Sequence, residues 1–370
     1  MTSKGLFGVQ NSALHAAYSE QLFSLGLGLP LLHPYPVDLG DLLLGEVGYM
    51  DNGTFHRLYK AMSPNDNARQ RTPRSYMPLS LSGSLGSKFT RDTIPIGPGA
   101  VCSEGITCLS KYDDVQRIGG RGVAFQAGRP SGSIMVLPEA ATRYRLDCDS
   151  DRSIASYMLR HYQDWHEELS TSAPQNDTSS AKTLMLISGC VRSAHWANAT
   201  FYGVDSTATV TFRRASEREH SSFTLASSSG ELHHHSSLSS GTVGTVSHSG
   251  EWANPAWTQS EITLTPSRLK HALFLSYYKL RLRSPSSNYA QSRQVETDEH
   301  EDYVDYLLAY ILRHSSAEAA AAHDGDVYAL FEGNKIPRKH EFARFLEDLA
   351  PRIDVDQAGL VSIRVEGGLD

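Results

Sequence analysis

The stretch LMLISGCVRSAHWANATFYG, residues 184–203, places Cys190 and His195 close together after an apolar run. A thiol becomes a nucleophile when a nearby imidazole or a helix N-terminus lowers its pKa. Cys190 with His195 as its base is therefore one candidate catalytic pair. The residues after Cys190 read as a turn and a second strand, so no helix follows to supply a dipole, and the turn separates the two side chains. The chain here reads instead as a hairpin in the middle of a sheet, with Gly189 at the turn and Cys190 a buried structural thiol. A second candidate is HDGDV, residues 323–327. His323, Asp324 and Asp326 offer an acid/base group, or ligands for a divalent metal at Asp324 and Asp326. Hard cations need more oxygen ligands than this segment supplies, and no cysteine pair at zinc spacing accompanies it. The alternative is a loop in which Asp324 takes backbone hydrogen bonds and Gly325 turns the chain.

Three other features carry less chemistry. His233, His234 and His235, with His220 and His248 nearby, could ligate a metal. Consecutive strand residues point to opposite faces, however, and the surrounding SSSGELHHHSSLSSGTVG reads as a solvated loop. RIGGRGVAF lacks the strand-to-helix setting of a phosphate cradle and reads as a turn. No G-x-S-x-G elbow is present. No cofactor is implied.

The elements that must position these residues are of mixed type. Periodicity of three and four predicts helices over 12–25, 153–169, 302–314 and 340–349. Ser12 and Ser153 are expected caps, and Gly26 and Pro351 expected stops. Asp51-Asn52-Gly53 between two apolar runs predicts a tight hairpin. PLLHPYP reads as a Pro-rich turn, 62–95 as a polar surface loop, and TSAPQNDTSSAKT as a linker. SGSIMVLPEAA reads as a strand closed by Pro138. TATVTFRR, SFTLAS and EITLT alternate with period two, as half-buried antiparallel strands do. HALFLSYYKLRL reads as a long buried strand and LVSIRVE as a last strand. The order is no regular strand–helix alternation. It predicts an α+β fold, a mainly antiparallel β-sheet with packed helices. The expected division is a β-rich part over 1–295, with an N-terminal helix and the helix at 153–169, and a helical part over 296–370 that is either separate or packed on the same core.

Composition narrows the function classes. A net charge of −7, spread along the chain, is no footprint for nucleic acid. The opening residues lack an apolar core after a basic start, which predicts no signal peptide. Four cysteines in 370 residues do not make a disulfide framework, so the expected setting is the cytoplasm. No apolar run reaches the roughly 18 residues of a spanning helix. The alternating strands of 205–265 nevertheless match the length of pore-lining hairpins, which leaves a membrane-perforating effector as one alternative.

GEVGYMDNGTFHRLYKA, SGSIMVLPEAA, LMLISGCVRSAHWANATF, HALFLSYYKL and AAAHDGDVYALF occur in this order. As an ordered set they resemble a family of intracellular proteins from mushroom-forming fungi, over roughly residues 28–332. That family carries Gly-acidic-Val-Gly, Leu-Pro, Thr-Gly-Cys, Phe-Leu-Arg-Gly and His-Asp-x-Asp-Trp segments. Ser188, Ser276-Tyr277 and Val327 depart from it. The resemblance implies no established activity. Copies beside signalling-type domains imply an interaction or sensing role with a protein partner. The expected function is thus a non-catalytic interaction or sensing module. The rival is a metal-dependent hydrolase using His323, Asp324 and Asp326.

Overall fold

HALFLSYYKLRL is apolar on both faces, and in the computed structural model it forms a central strand of the main sheet. The structure describes residues 4–37, 43–51, 53–62, 77–79, 89–91, 96, 99–109, 123–137, 140–146, 151–172, 183–213, 222–236, 244–247, 270–283, 302–331, 335–355 and 360–364. Helix α1 (Lys4–Phe23) leads into β1 (Leu29–Val37), β2 (Glu46–Asp51) and β3 (Thr54–Lys60). Next come β4 (Phe89–Arg91), β5 (Gly99–Cys102), β6 (Ile106–Cys108), β7 (Val123–Ala127), β8 (Gly132–Leu137) and β9 (Thr142–Leu146). Helix α2 (Asp151–Ser172) precedes β10 (Leu184–Ser193), β11 (Ala197–Tyr202), β12 (Thr209–Arg213), β13 (Ser222–Ala226), β14 (Glu231–Ser236), β15 (Gly244–Ser247) and β16 (Lys270–Leu282). The chain closes with α3 (Tyr303–Arg313), β17 (Ala319–His323), α4 (Asp324–Ala329), α5 (Lys339–Leu349), β18 (Arg352–Val355) and β19 (Leu360–Arg364).

The main sheet has ten strands. Seven run in the order β18-β19-β17-β16-β10-β2-β3, with β1 on β16, β9 on β10 and β4 on β9. A second sheet runs β15-β14-β11-β8-β5 and a third β13-β12-β7-β6. Among the strand pairs described, β17–β19 is parallel and the others antiparallel, so the fold is α+β with a mainly antiparallel sheet. Strands from beyond residue 296 (β17, β18 and β19) extend the same sheet as β2 and β10.

Side-chain alternation fixes what covers each face. Leu184, Leu186, Tyr278 and Leu280 meet Ile154, Met158 and Trp165 of α2 on one face. Met185, Ile187, Cys190 and Tyr277 meet α3, α4 and α5 on the other, with Val327 and Phe342 fully buried. The second and third sheets share a core of Phe125, Ile134, Phe201, Val210, Phe212 and Phe223. Helix α1 joins the two bodies, laying Leu14, Tyr18 and Leu22 against Met135 of β8, Val191 of β10 and Phe274 of β16.

One edge of β16 has two partners in succession. Tyr278 to Leu282 pair with β17, and Lys270 to Leu275 pair with β1. At the junction a Cβ on Gly28 would lie 2.5 Å from the Leu275 carbonyl oxygen, so only glycine fits there, at φ +103°. The Gly28 N–H donates to the Tyr328 hydroxyl of α4.

Several expectations hold. The Asp51/Thr54 pair closes the predicted hairpin with Gly53 at φ +80°, although Asn52 itself lies outside the described residues. Val210, Phe212, Phe223 and Leu225 are buried on one face, as the period of two requires. In α3, Val304, Leu307, Leu308, Ile311 and Leu312 are buried as predicted. Other expectations are corrected. PLLHPYP is strand β1, which tolerates prolines because its register shifts between Pro30 and Tyr35. The triple histidine is strand β14, paired residue by residue with β11. HDGDV is the end of β17 and the start of α4, so Gly325 lies in a helical turn. Ser12 and Ser153 lie inside helices that begin at Lys4 and Asp151, and Leu349 is exposed. Most of 62–95, the linker after α2, Pro138, EITLT, His220, His248 and the glycines of RIGGRG lie outside the described residues.

A fully desolvated charge lies on β16. Lys279 is fully buried, with its Nζ 2.8 Å from Asp302 and 2.9 Å from Asp305, both at the start of α3. Asp302 caps α3, accepting from the Val304 and Asp305 N–H groups. Burial pushes both carboxyls up, yet Lys279 holds Asp302 below the ordinary range, while Asp305 is pushed above it by burial and by Asp302. Removing one member of a buried cluster strands the others without compensation. Lys279→Met is expected to cost about 3–5 kcal/mol, read by urea unfolding. A loss below about 1 kcal/mol would mean the cluster is not closed to water.

Candidate functional site

The described residues bring a hydroxyl, an imidazole and a carboxylate together where β17 ends. Ser188 Oγ of β10 lies 2.7 Å from His323 Nε2, reaching across β16. Asp324 Oδ1 lies 3.1 Å from the same nitrogen. Alternation along β10 explains the reach. Leu184 and Leu186 face α2 and Met185 and Ile187 face α3, so Ser188 continues the α2-facing series. His323 lies opposite Tyr278 in the ladder, and their rings pack at 4.3 Å.

The remaining contacts set the roles. His323 Nδ1 accepts from the Gly325 N–H at 2.9 Å. A nitrogen that accepts carries no proton, so in the neutral ring the proton sits on Nε2. The Nε2–H then donates to Ser188 Oγ and leans toward Asp324. In a hydrolytic triad the two partners lie on opposite ring nitrogens, and the bare nitrogen faces the hydroxyl. Here both partners share one nitrogen, and it is the donor. The imidazole is not positioned to take the Ser188 proton.

The two aspartates serve backbone. Asp324 Oδ1 accepts from the Tyr277 N–H at 3.0 Å, filling the place on the β16 edge between β17 and β1. Asp326 Oδ2 accepts from the His323 N–H at 2.7 Å, closing the first turn of α4. Asp324 is buried, and that burial pushes its pKa up against the pull of His323, the Tyr277 N–H and Arg143.

The other candidate pair is not assembled. Cys190 lies inside β10, opposite Leu275 and Tyr144, and its side chain belongs to the core under α3. His195 lies in the bend after β10, where its carbonyl accepts from Ser193 Oγ. The strand-turn-strand reading holds, but the hairpin does not: β10 belongs to the main sheet and β11 to the second. Gly189 makes no turn. It sits at a register shift within β10, where a Cβ would come 2.9 Å from the Tyr144 carbonyl oxygen. His233 and His235 fall on one face of β14, and His234 on the other, against Phe223. Among the described residues, no three His, Cys, Asp or Glu side chains gather at metal-ligand geometry.

Two functional-looking groups escaped the sequence reading. Ser188 drew notice only as a departure from threonine; its partner is 135 residues away, beyond any local spacing. Lys279 left a signal, a charge set between Tyr278 and Leu280 in a mostly apolar strand, which marks a buried ion partner.

Asp324→Ala leaves the buried Tyr277 N–H unpaired, with an expected loss of about 1–3 kcal/mol. Asp324→Asn keeps an acceptor oxygen there and is expected to stay within about 1 kcal/mol of the parent chain. Equal losses in the two variants, measured by thermal or urea unfolding, would contradict the backbone role. Comparison of the whole chain with family models, curated proteins and solved structures yields no match.

Proposed function

We propose that this chain is a non-catalytic interaction or sensing module, acting with a protein partner in the cytoplasm of a mushroom-forming fungus. One observation carries the non-catalytic part: the Gly325 N–H fills His323 Nδ1 while Ser188 Oγ and Asp324 Oδ1 both face Nε2, an arrangement that assigns the ring proton to Nε2. The site is thereby a latch joining β10, β17 and α4. Cys190, the other nucleophile considered, is buried in the core and 2% exposed. The ordered resemblance to the fungal family supports the signalling setting. Among the described residues no helix is long and apolar enough to cross a membrane, a fact that leaves β-barrel insertion untouched.

A turnover panel of activated esters, phosphate esters and peptides tests this reading. The expected result is that Ser188→Ala, Cys190→Ala and His323→Ala leave any background rate unchanged within about threefold, where loss of a working nucleophile or base costs at least a hundredfold. Turnover abolished by Ser188→Ala in a variant with unchanged circular dichroism would overturn it.

A further inference from the structure

The joint between the main sheet and the second sheet is lined by histidines. His15 comes from α1, His33 from β1 and His235 from β14. The His33 and His235 rings meet edge to face at 4.6 Å. His15 packs on the β2–β3 turn, where a Cβ at Gly53 would lie 2.8 Å from its Cδ2, and the His33 N–H donates to the Gly53 carbonyl. Asn198 of β11 lies opposite His235 in the ladder. Its Nδ2 donates to the Leu32 carbonyl of β1 at 3.0 Å and to the Tyr18 hydroxyl of α1 at 3.4 Å. One face of β11–β14 is thus pinned to α1 and β1 along a strip that includes all three imidazoles. His15 Nε2 and His235 Nε2 are buried there without a hydrogen-bond partner.

We propose that this strip is an acid-operated joint: protonation of His15, His33 and His235 detaches α1 from both sheets, from the β2–β3 turn and the main-sheet strands beneath it as well as from β8 and β11. An imidazolium in the closed joint would lose water and gain no acceptor, and a second one would face it across the His33–His235 contact. The groups around the joint do not reverse this. His15 faces Lys339 of α5 and His33, with Asp302 and Asp51 as the opposing charges. His235 faces His33, His234 and His233. Burial first, then these neighbours, holds His15 at about 4 and His235 at about 3, and burial lowers His33. Folded-state values below the ordinary 6.5 mean that the released form binds more protons. The closed joint keeps its full stability above about pH 6.5 and loses it as pH falls toward 4. Each of His15 and His235, once freed, favours the open form roughly 20-fold more at pH 5 than at pH 7. Release would uncover Leu14, Tyr18 and Leu22 together, an apolar strip that the closed joint hides. This inference stands apart from the choice between module and enzyme.

Hydrogen exchange of the full chain at about pH 7 and about pH 5, corrected for intrinsic rates, is the test. A detached helix of this length is marginal in water and frays, so α1 amides report release. The expected result is at least about tenfold lower protection in α1 at the lower pH, with α3 and β16 unchanged. His15→Phe/His235→Phe is expected to abolish that difference. Should the double variant not fold, NMR titration of the parent chain's ring protons decides, with His15 and His235 required to titrate well below 6.5 and together with the loss of α1 protection. Equal loss across α1, α3 and β16, no loss at all, a loss that survives in the double variant, or ring titration near 6.5 would each overturn the proposal.

Discussion

Strand β16 must satisfy one edge with two partners that do not meet. β17 leaves the ladder at His323, and β1 enters it only at Leu275. An interior N–H between them would stay unpaired at a cost of about 1–3 kcal/mol. The chain solves this locally. Immediately after β17 it turns into α4, and the first helical side chain, Asp324, accepts the Tyr277 N–H. Placing that carboxylate brings His323 against Ser188 and Tyr278. The same turn sets Tyr328 to receive the Gly28 N–H, which starts β1. The arrangement that looks most like chemistry is thus a consequence of closing a sheet edge.

The strand is also committed on both faces. Tyr278 and Leu280 face α2, while Tyr277 and Lys279 face α3. A buried ammonium between two carboxylates is a weak source of net stability and a strong constraint on geometry. Lys279 meets the capped start of α3, so the helix can seat in one register. The main sheet is fixed by directional groups at its centre and by apolar packing around them. The second and third sheets, by contrast, share a core of apolar side chains.

The parts of this design that depend on local pattern were legible in the sequence. The buried faces of α3, the alternation in β12 and β13, the hairpin at Asp51–Gly53 and the doubly buried β16 all follow from periodicity or turn chemistry. Parts that depend on distant partners were not. PLLHPYP reads as a turn until β16 supplies an edge whose bulge excuses the prolines. His233 to His235 read as solvated until β11 pairs them and Tyr202 and His33 pack on the rings of His233 and His235. HDGDV reads as a loop because Asp and Gly are poor helix formers, and α4 is six residues long and held by His323, Asp326 and Tyr328 rather than by propensity. That Cys190 is a buried thiol follows from its apolar surroundings alone, whereas the Ser188–His323 contact depends on the order of strands.

The claim on which the account rests is the position of one proton. Two-dimensional 15N–1H spectra of the His323 side chain, near neutral pH, report which ring nitrogen carries it. The account predicts a protonated Nε2 and a bare Nδ1 coupled to the Gly325 amide. A proton on Nδ1, with Nε2 bare and receiving the Ser188 hydroxyl, would make the imidazole a competent base and contradict it.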